Sequence, residues 1–194
     1  MPSVVLFDLE YTAWEGSLAA RWLRPGEFRE VVQIGAVKID AVTLDPVADF
    51  ETLIRPRINK SLSAYFETLT GITNEMLAAR GADLADAYLS FVTFAQDAPI
   101  VSFGRDDRVL THNLDLYGLK DMPALPAHMN IAHWLNANGV ATAGYHACDI
   151  ARLCGAADFQ GQEHDALDDA RSLAAGARAL IARGVPNPFM GTQS

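Results

Sequence analysis

The stretch VVLFDLEYTAW at residues 4–14 carries an apolar run straight into two carboxylates, Asp8 and Glu10. In a strand, alternate side chains share a face, so the two acids point the same way, ~6.6 Å apart at ~3.3 Å rise per residue. Like charges at the end of a buried strand repel and lose hydration unless a cation or a proton offsets them. Hard divalent cations prefer such oxygen ligands. A structural reading stands beside this one, with Asp8 capping a turn and Glu10 solvated.

Two further stretches carry acids. HDALDDARSLAAGARALIA at residues 164–182 has helical spacing, with an apolar stripe through Ala166, Ala170, Leu173, Ala177 and Leu180. On that wheel Asp169 lies roughly 60° from the stripe centre, Asp165 about 100° and Asp168 about 160°. Asp169 alone faces inward, and the other two read as first-turn acids complementing the helix dipole. His164 precedes the helix on a connection that can bring its ring toward Asp169. In IVSFGRDDRVL, residues 100–110, a buried strand ends at Gly104 and two aspartates open a helix. Asp106 reads as the N-cap, and Asp107 in the first turn is left to aim beyond the carboxyl end of the strand, where open α/β sheets place their ligands.

The elements that must position these groups follow from periodicity. EVVQIGAVKID (30–40) and ADFETLIRP (48–56) read as strands joined by a hairpin connection at 41–47, so three strands open the fold. From residue 61 the spacing becomes helical, with Gly71 and Gly81 as stops. A strand at 98–103, a helix over 106–117 and an extended piece before IAHWLNANG form a βα pattern, and a long helix runs from 165 to 183. The sequence predicts one domain over residues 1–185 and a fraying Gly/Pro-rich tail at 186–194. The connection at 11–29, rich in Trp, Arg, Gly and Pro, is longer than a turn needs and reads as a functional loop.

With 194 residues, half of them apolar, the chain can bury a sizeable core, and its net charge of −9 argues against coating a polyanion through a broad basic surface. Cys148 and Cys154 fit no common zinc or redox spacing and read as reduced thiols. The absence of a signal-like or spanning segment gives the expectation of a cytoplasmic protein that does not bind membranes.

Taken together, FDLEYT, SFGRDD and HDALDDA resemble the three motifs of the DEDDh 3′-to-5′ exonucleases, in their usual order over about residues 3–183. The Eri-like branch is the nearest likeness: its aromatic-Gly-x-x-Asp motif is matched by Phe103, Gly104 and Asp107, and His-x-Ala-x-x-Asp by His164, Ala166 and Asp169. The resemblance implies an α/β, ribonuclease H-like fold, a mixed five-stranded sheet with its first three strands antiparallel and helices on its flanks. It implies that Asp8, Glu10, Asp107 and Asp169 hold two divalent cations, Mg²⁺ or Mn²⁺, with His164 as general base. It further implies hydrolysis of single-stranded nucleic acid from the 3′ end to nucleoside 5′-monophosphates, RNA favoured and DNA open. Backbone at Tyr11 and Thr12 would grip the terminal nucleotide, and relatives often pair, which allows a homodimer. The long loop offers Arg21, Arg24 and Arg29 beside Trp14 and Trp22, residue types suited to phosphate contact and base stacking, and Phe103 is a further candidate for the substrate. The alternatives are a proofreading-type or oligoribonuclease-type enzyme, or an inactive binding module on the same fold. A zinc site from His146, Cys148, Cys154 and His164 fits no standard spacing, and glycoside hydrolysis would not call for four acids and this histidine.

Overall fold

The computed structural model describes residues 2–190. In chain order the elements are β1 (Ser3–Tyr11), α1 (Ser17–Ala20), β2 (Val31–Asp40), β3 (Pro46–Leu53), α2 (Ala64–Thr70), α3 (Asn74–Arg80) and α4 (Leu84–Ala95). They continue with β4 (Ile100–Ser102), α5 (Asp106–Leu116), β5 (His128–Asn130), α6 (Ile131–Ala137), a 3₁₀ turn at Ala147–Asp149, α7 (Ile150–Leu153) and α8 (Ala166–Ala182). The strands form one sheet in the order β3-β2-β1-β4-β5. β1 pairs antiparallel with β2 and β2 with β3, whereas β1–β4 and β4–β5 are parallel. This is the mixed five-stranded, ribonuclease H-like sheet that the resemblance implies.

β1 is central and buried on both faces, which is why its sequence reads as a continuous apolar run. Val4 and Leu6 face the core shared with α8, and Val5, Phe7 and Leu9 face the core shared with α4 and α5. Alternation therefore sends Asp8 and Glu10 to the α8 side. β4 pairs with β1 only at Val5 and Leu6, so the end of β1 that carries the acids runs beyond its parallel neighbour. A register shift between Glu10 and Tyr11 ends the pairing with β2 at the same place.

α8 reaches that end of β1 because β2 carries a glycine beneath it. A Cβ at Gly35 would sit 2.0 Å from Leu167 N and 2.2 Å from Ala166 C. Gln33, two residues away on β2, accepts from Ala166 N–H at 3.0 Å and donates to Asp165 at 3.1 Å. The first turn of α8 is thus seated directly on the sheet, and Asp169 is delivered over β1.

Gly71 and Gly81 end α2 and α3 as expected, and side chains of Ser63 and Thr73 cap their starts. The tail is more ordered than its composition suggests: Trp134 Nε1 donates to Pro186 O at 3.1 Å, Asn187 Nδ2 to Ala41 O at 2.8 Å, and Phe189 packs on the core. Residues 191–194 of the expected fraying tail lie outside the described residues. No described helix is long and apolar enough to cross a membrane.

The obstacle at Gly35 is backbone, which cannot swing aside as a side chain can. Gly35→Ala is expected to destabilise the fold by about 3 kcal/mol, the upper range for overpacking, read as a lower urea midpoint with an unchanged slope.

Candidate active site

Asp8, Glu10, Asp106 and Asp169 line one cleft of about 480 Å³ at the carboxyl ends of β1 and β4. Glu10, Asp106 and Asp169 are only 8%, 9% and 4% exposed, and Asp8 is half-buried. Single ligand atoms of Glu10, His164 and Asp169 all lie within 4.8 Å of one another. Asp106 Oδ2 and Asp169 Oδ1 are buried without any hydrogen-bond partner. Burial, chiefly, raises every one of these acids; the other cleft acids add to it at Asp8 and Glu10, Asp107 at Asp106, and Asp165 and Asp168 at Asp169. Asp106 is pushed up to about 7 and Asp169 to about 8, while Asp8 and Glu10 are held well above the usual carboxylate range. At 4.8 Å and an effective dielectric near 20, two ionised carboxylates repel by about 3 kcal/mol, more than the net value of one hydrogen bond.

The second-motif aspartate differs from the expectation. Asp107 was expected in the cleft with Asp106 as cap, but α5 begins at Asp106 and its cap position is Arg105. Adjacent helical residues point ~100° apart, so only one of the two can face the acids. Asp106 does. Asp107 turns outward and takes a two-pronged contact from Arg105 Nε and Nη2, both at 2.8 Å. That guanidinium, chiefly, lowers the Asp107 pKa, opposite to the raised acids of the cleft.

A family model described as Exonuclease (RNase_T) matches residues 5–175. The chain belongs to the exonuclease family. Its fold is similar to that of the nuclease domain of 3′hExo, a DEDDh family member, bound to rAMP, with a TM-score of 0.78 at 23% identity, covering 94% of this chain and 93% of that one. It is also similar to cell-death related nuclease 4 (CRN-4), with TM-score 0.75, 18% identity and coverage of 95% and 65%. Exonuclease I of E. coli in complex with a dA16 oligonucleotide gives TM-score 0.66 and 14% identity over 94% of this chain, which spans 41% of that enzyme. No curated protein matches by sequence. The expected exonuclease family stands, and the fold is that of a solved DEDDh member.

Membership implies divalent metal ions, and the cleft of this exonuclease fits them. Its donors are hard oxygens and an imidazole, and two buried carboxylate oxygens have no partner within the protein. Cys148 is not among the clustered donors, and burial, chiefly, pushes its thiol up to about 12. His164 lines the cleft with φ +60°, a left-handed conformation uncommon outside glycine, and its ring is 6.0 Å from that of His146. Burial, and then the neighbouring His146, lowers the His164 pKa, so the ring is a free base at neutral pH.

The cleft is lined by Tyr11, Trp14, Leu18 and Trp22 from the loop at 11–29 and by Tyr65, Phe66 and Leu69 from α2. Phe103 also lines the cleft. Thr12 is buried and does not: its hydroxyl donates to Phe28 O and accepts from Glu30 N–H, tying the two ends of the loop together. Arg24 is likewise engaged within the loop, with Glu15 O at 2.7 Å and Glu27 at 3.2 Å. Arg21 is exposed and lies off the cleft lining. Arg29 is likewise off the lining, but its guanidinium sits 5.2 Å from the ring centres of both Tyr11 and Trp22, which do line the cleft, and it lowers the pKa of Asp106. The α2 wall and His146 carried no spacing signal, since both come from elements remote in sequence from the three motifs.

The raised acids set a pH dependence. A carboxyl with a raised folded pKa keeps a proton that the unfolded chain gives up near 3.8, so stability falls as pH rises toward the folded values of about 7 and about 8. The metal-free protein is expected to melt progressively lower from about pH 5.5 to about pH 8.5, and Mn²⁺ to raise the melting temperature most at the upper end. A metal-free melting temperature that is flat or rising over this window would count against the crowded-acid geometry.

Proposed function

We propose that this exonuclease shortens single-stranded nucleic acid from the 3′ end, RNA in preference to DNA, and releases nucleoside 5′-monophosphates. The observation that carries this reading is the convergence of Asp8, Glu10, Asp106 and Asp169 on one cleft, two of them with unpartnered buried oxygens, with His164 at its edge. The four acids would hold Mg²⁺ or Mn²⁺. Two such ions supply activation of a water and charge stabilisation at the leaving 3′ oxygen. His164, unprotonated at neutral pH, takes the proton of the attacking water. The aromatic walls receive the terminal bases by stacking, which tolerates any sequence. Arg29, placed against the Tyr11 and Trp22 rings, gives the backbone phosphate a cation in an otherwise acidic neighbourhood.

RNA is favoured by the Eri-like motif pattern and by the rAMP and histone mRNA stem-loop named for two structures of similar fold. The Exonuclease I complex with dA16 keeps DNA as the second reading. Two free cysteines suit the reducing cytoplasm, where we place the protein.

Cleavage of 5′-labelled single-stranded RNA and DNA in Mg²⁺ or Mn²⁺ tests this. The expected product is a ladder receding from the 3′ end, stronger on RNA and lost with EDTA. Asp8→Ala, Asp169→Ala and Asp106→Asn should fall to background with folding retained, and Asp107→Asn should fall far less. His164→Ala should lose about 10²–10⁴ in rate. Full activity in Asp8→Ala or Asp169→Ala would overturn the assignment. Arg29→Gln should weaken substrate binding and reduce the slope of log affinity against log salt by about 0.7, one single-strand phosphate contact. An unchanged slope would remove Arg29 from the substrate path.

A further inference from the structure

Glu30, which follows Arg29, is fully buried and belongs to no part of the chemistry above. Its Oε1 accepts from Arg57 N–H and Ile58 N–H, both at 2.8 Å, and from the Tyr117 hydroxyl, and its Oε2 accepts from Asn59 N–H at 2.6 Å. The Asn59 side chain ties the same two segments a second time, donating to Gly26 O at 2.8 Å and accepting from Phe28 N–H at 3.2 Å. Residues 26–30 and 57–59 are thereby joined into one surface. Its acids are engaged: Glu30 spends its charge inward on backbone, and Glu27 is held by Arg24 and Ser17. Its cations are not. Arg57 and Lys60 are exposed, and among the described residues neither they nor Arg29 is paired with a carboxylate, whereas Arg105, Arg152, Arg171 and Arg178 all are.

The place of this surface relative to the cleft is set by α5. Asp106 opens that helix in the cleft and Tyr117 closes it, ~16 Å away along the axis at 1.5 Å per residue. The Arg57 guanidinium is 4.9 Å from the centre of the Tyr117 ring. Asn113, one turn earlier, accepts from Val31 N–H at 2.9 Å and donates to Arg29 O at 3.0 Å. Arg29 spans the interval, its backbone held at Asn113 and its guanidinium against the cleft-lining rings of Tyr11 and Trp22. A strand with its 3′ end in the cleft reaches Arg57 about five nucleotides upstream at ~3.4 Å per nucleotide. Phe28 and Ile58 on the same surface are 39% and 42% exposed. Cations beside an open aromatic ring are what single-stranded nucleic acid takes, phosphates on the charges and a base on the π-face.

We propose that Arg57, Lys60 and Phe28 form a second contact site for the substrate strand, outside the cleft, which takes backbone phosphates and a base about five nucleotides upstream of the 3′ end. This rests on the reading of the cleft as the place where the 3′ end is cut. The site gives an acidic enzyme a grip on a long strand that a short one cannot use.

The probes are 5′-labelled oligoadenylate RNAs of roughly four and roughly sixteen nucleotides, which fall short of the site and pass it. Fluorescence anisotropy with the full chain in EDTA reads binding without cleavage, and the same strands in Mg²⁺ give kcat and KM. The double variant Arg57→Gln/Lys60→Gln, at exposed positions, should bind the long strand about tenfold more weakly at low salt, with a slope of log affinity against log salt reduced by about 1.4, two single-strand phosphate contacts. Its KM should rise on the long strand, while kcat and KM on the short strand stay at wild-type values. Phe28→Ala should weaken the long strand with the salt slope unchanged, because stacking releases no counterion. Cleavage of the short strand by the wild type, together with wild-type affinity and slope in the double variant, would overturn the site and keep the exonuclease. Equal losses on both lengths, or a wild type that holds the long strand no tighter than the short one, would overturn it as well. No cleavage of either length by the wild type would instead overturn the 3′-end reading, and the upstream placement of the site with it.

Discussion

Crowding of negative charge is the constraint on which this structure turns. Glu10, Asp106 and Asp169 are almost wholly buried, Asp8 stands beside them, and each is raised by burial and by its neighbours. A fold that wanted only stability would replace these groups with apolar ones, since buried charge without a partner costs several kcal/mol. Their persistence is explained by cations that offset the charge, and the family to which the chain belongs implies such ions. The same ions reconcile a chain of net charge −9 with a polyanionic substrate, because the contact is local.

The scaffold serves that convergence by three routes. β1 brings two acids by alternation, α5 brings one at its first turn, and α8 brings the fourth because Gly35 lets its backbone settle on the sheet. A side chain at Gly35 would lift α8 away from β1. The 11–29 loop closes the cleft from one side and is tied at its base by the Thr12 contacts to Phe28 and Glu30 and by Trp22 Nε1 donating to Thr12 O at 2.8 Å. Its aromatics are thereby part of a fixed wall.

Much of this was legible in the sequence, for identifiable reasons. Period-two alternation places Asp8 and Glu10 on one face whatever the details of the strand. The helical wheel selects Asp169 because a seventeen-residue amphipathic helix has one apolar stripe and one inward direction. The difference in placement at Asp106 and Asp107 comes from a boundary: with the helix starting one position differently, the inward direction moves by ~100°, and the acid that faces the cleft changes. Spacing alone does not choose between them; in the structure Asp106 is buried and lines the cleft, while Asp107 is bonded to Arg105. The use of Arg24 within its own loop and the left-handed backbone of His164 depend on tertiary contacts, which no local pattern encodes.

The central claim is that the cleft holds protons when metal is absent and exchanges them for cations. It is tested most directly by titrating the metal-free protein with Mn²⁺ at about pH 7 in two buffers of very different ionisation enthalpy. With Asp106 near 7 and Asp169 near 8 in the metal-free state, the account predicts binding heats that differ between the buffers, corresponding to release of on the order of one proton. Identical heats in the two buffers, or no binding at all, would contradict it.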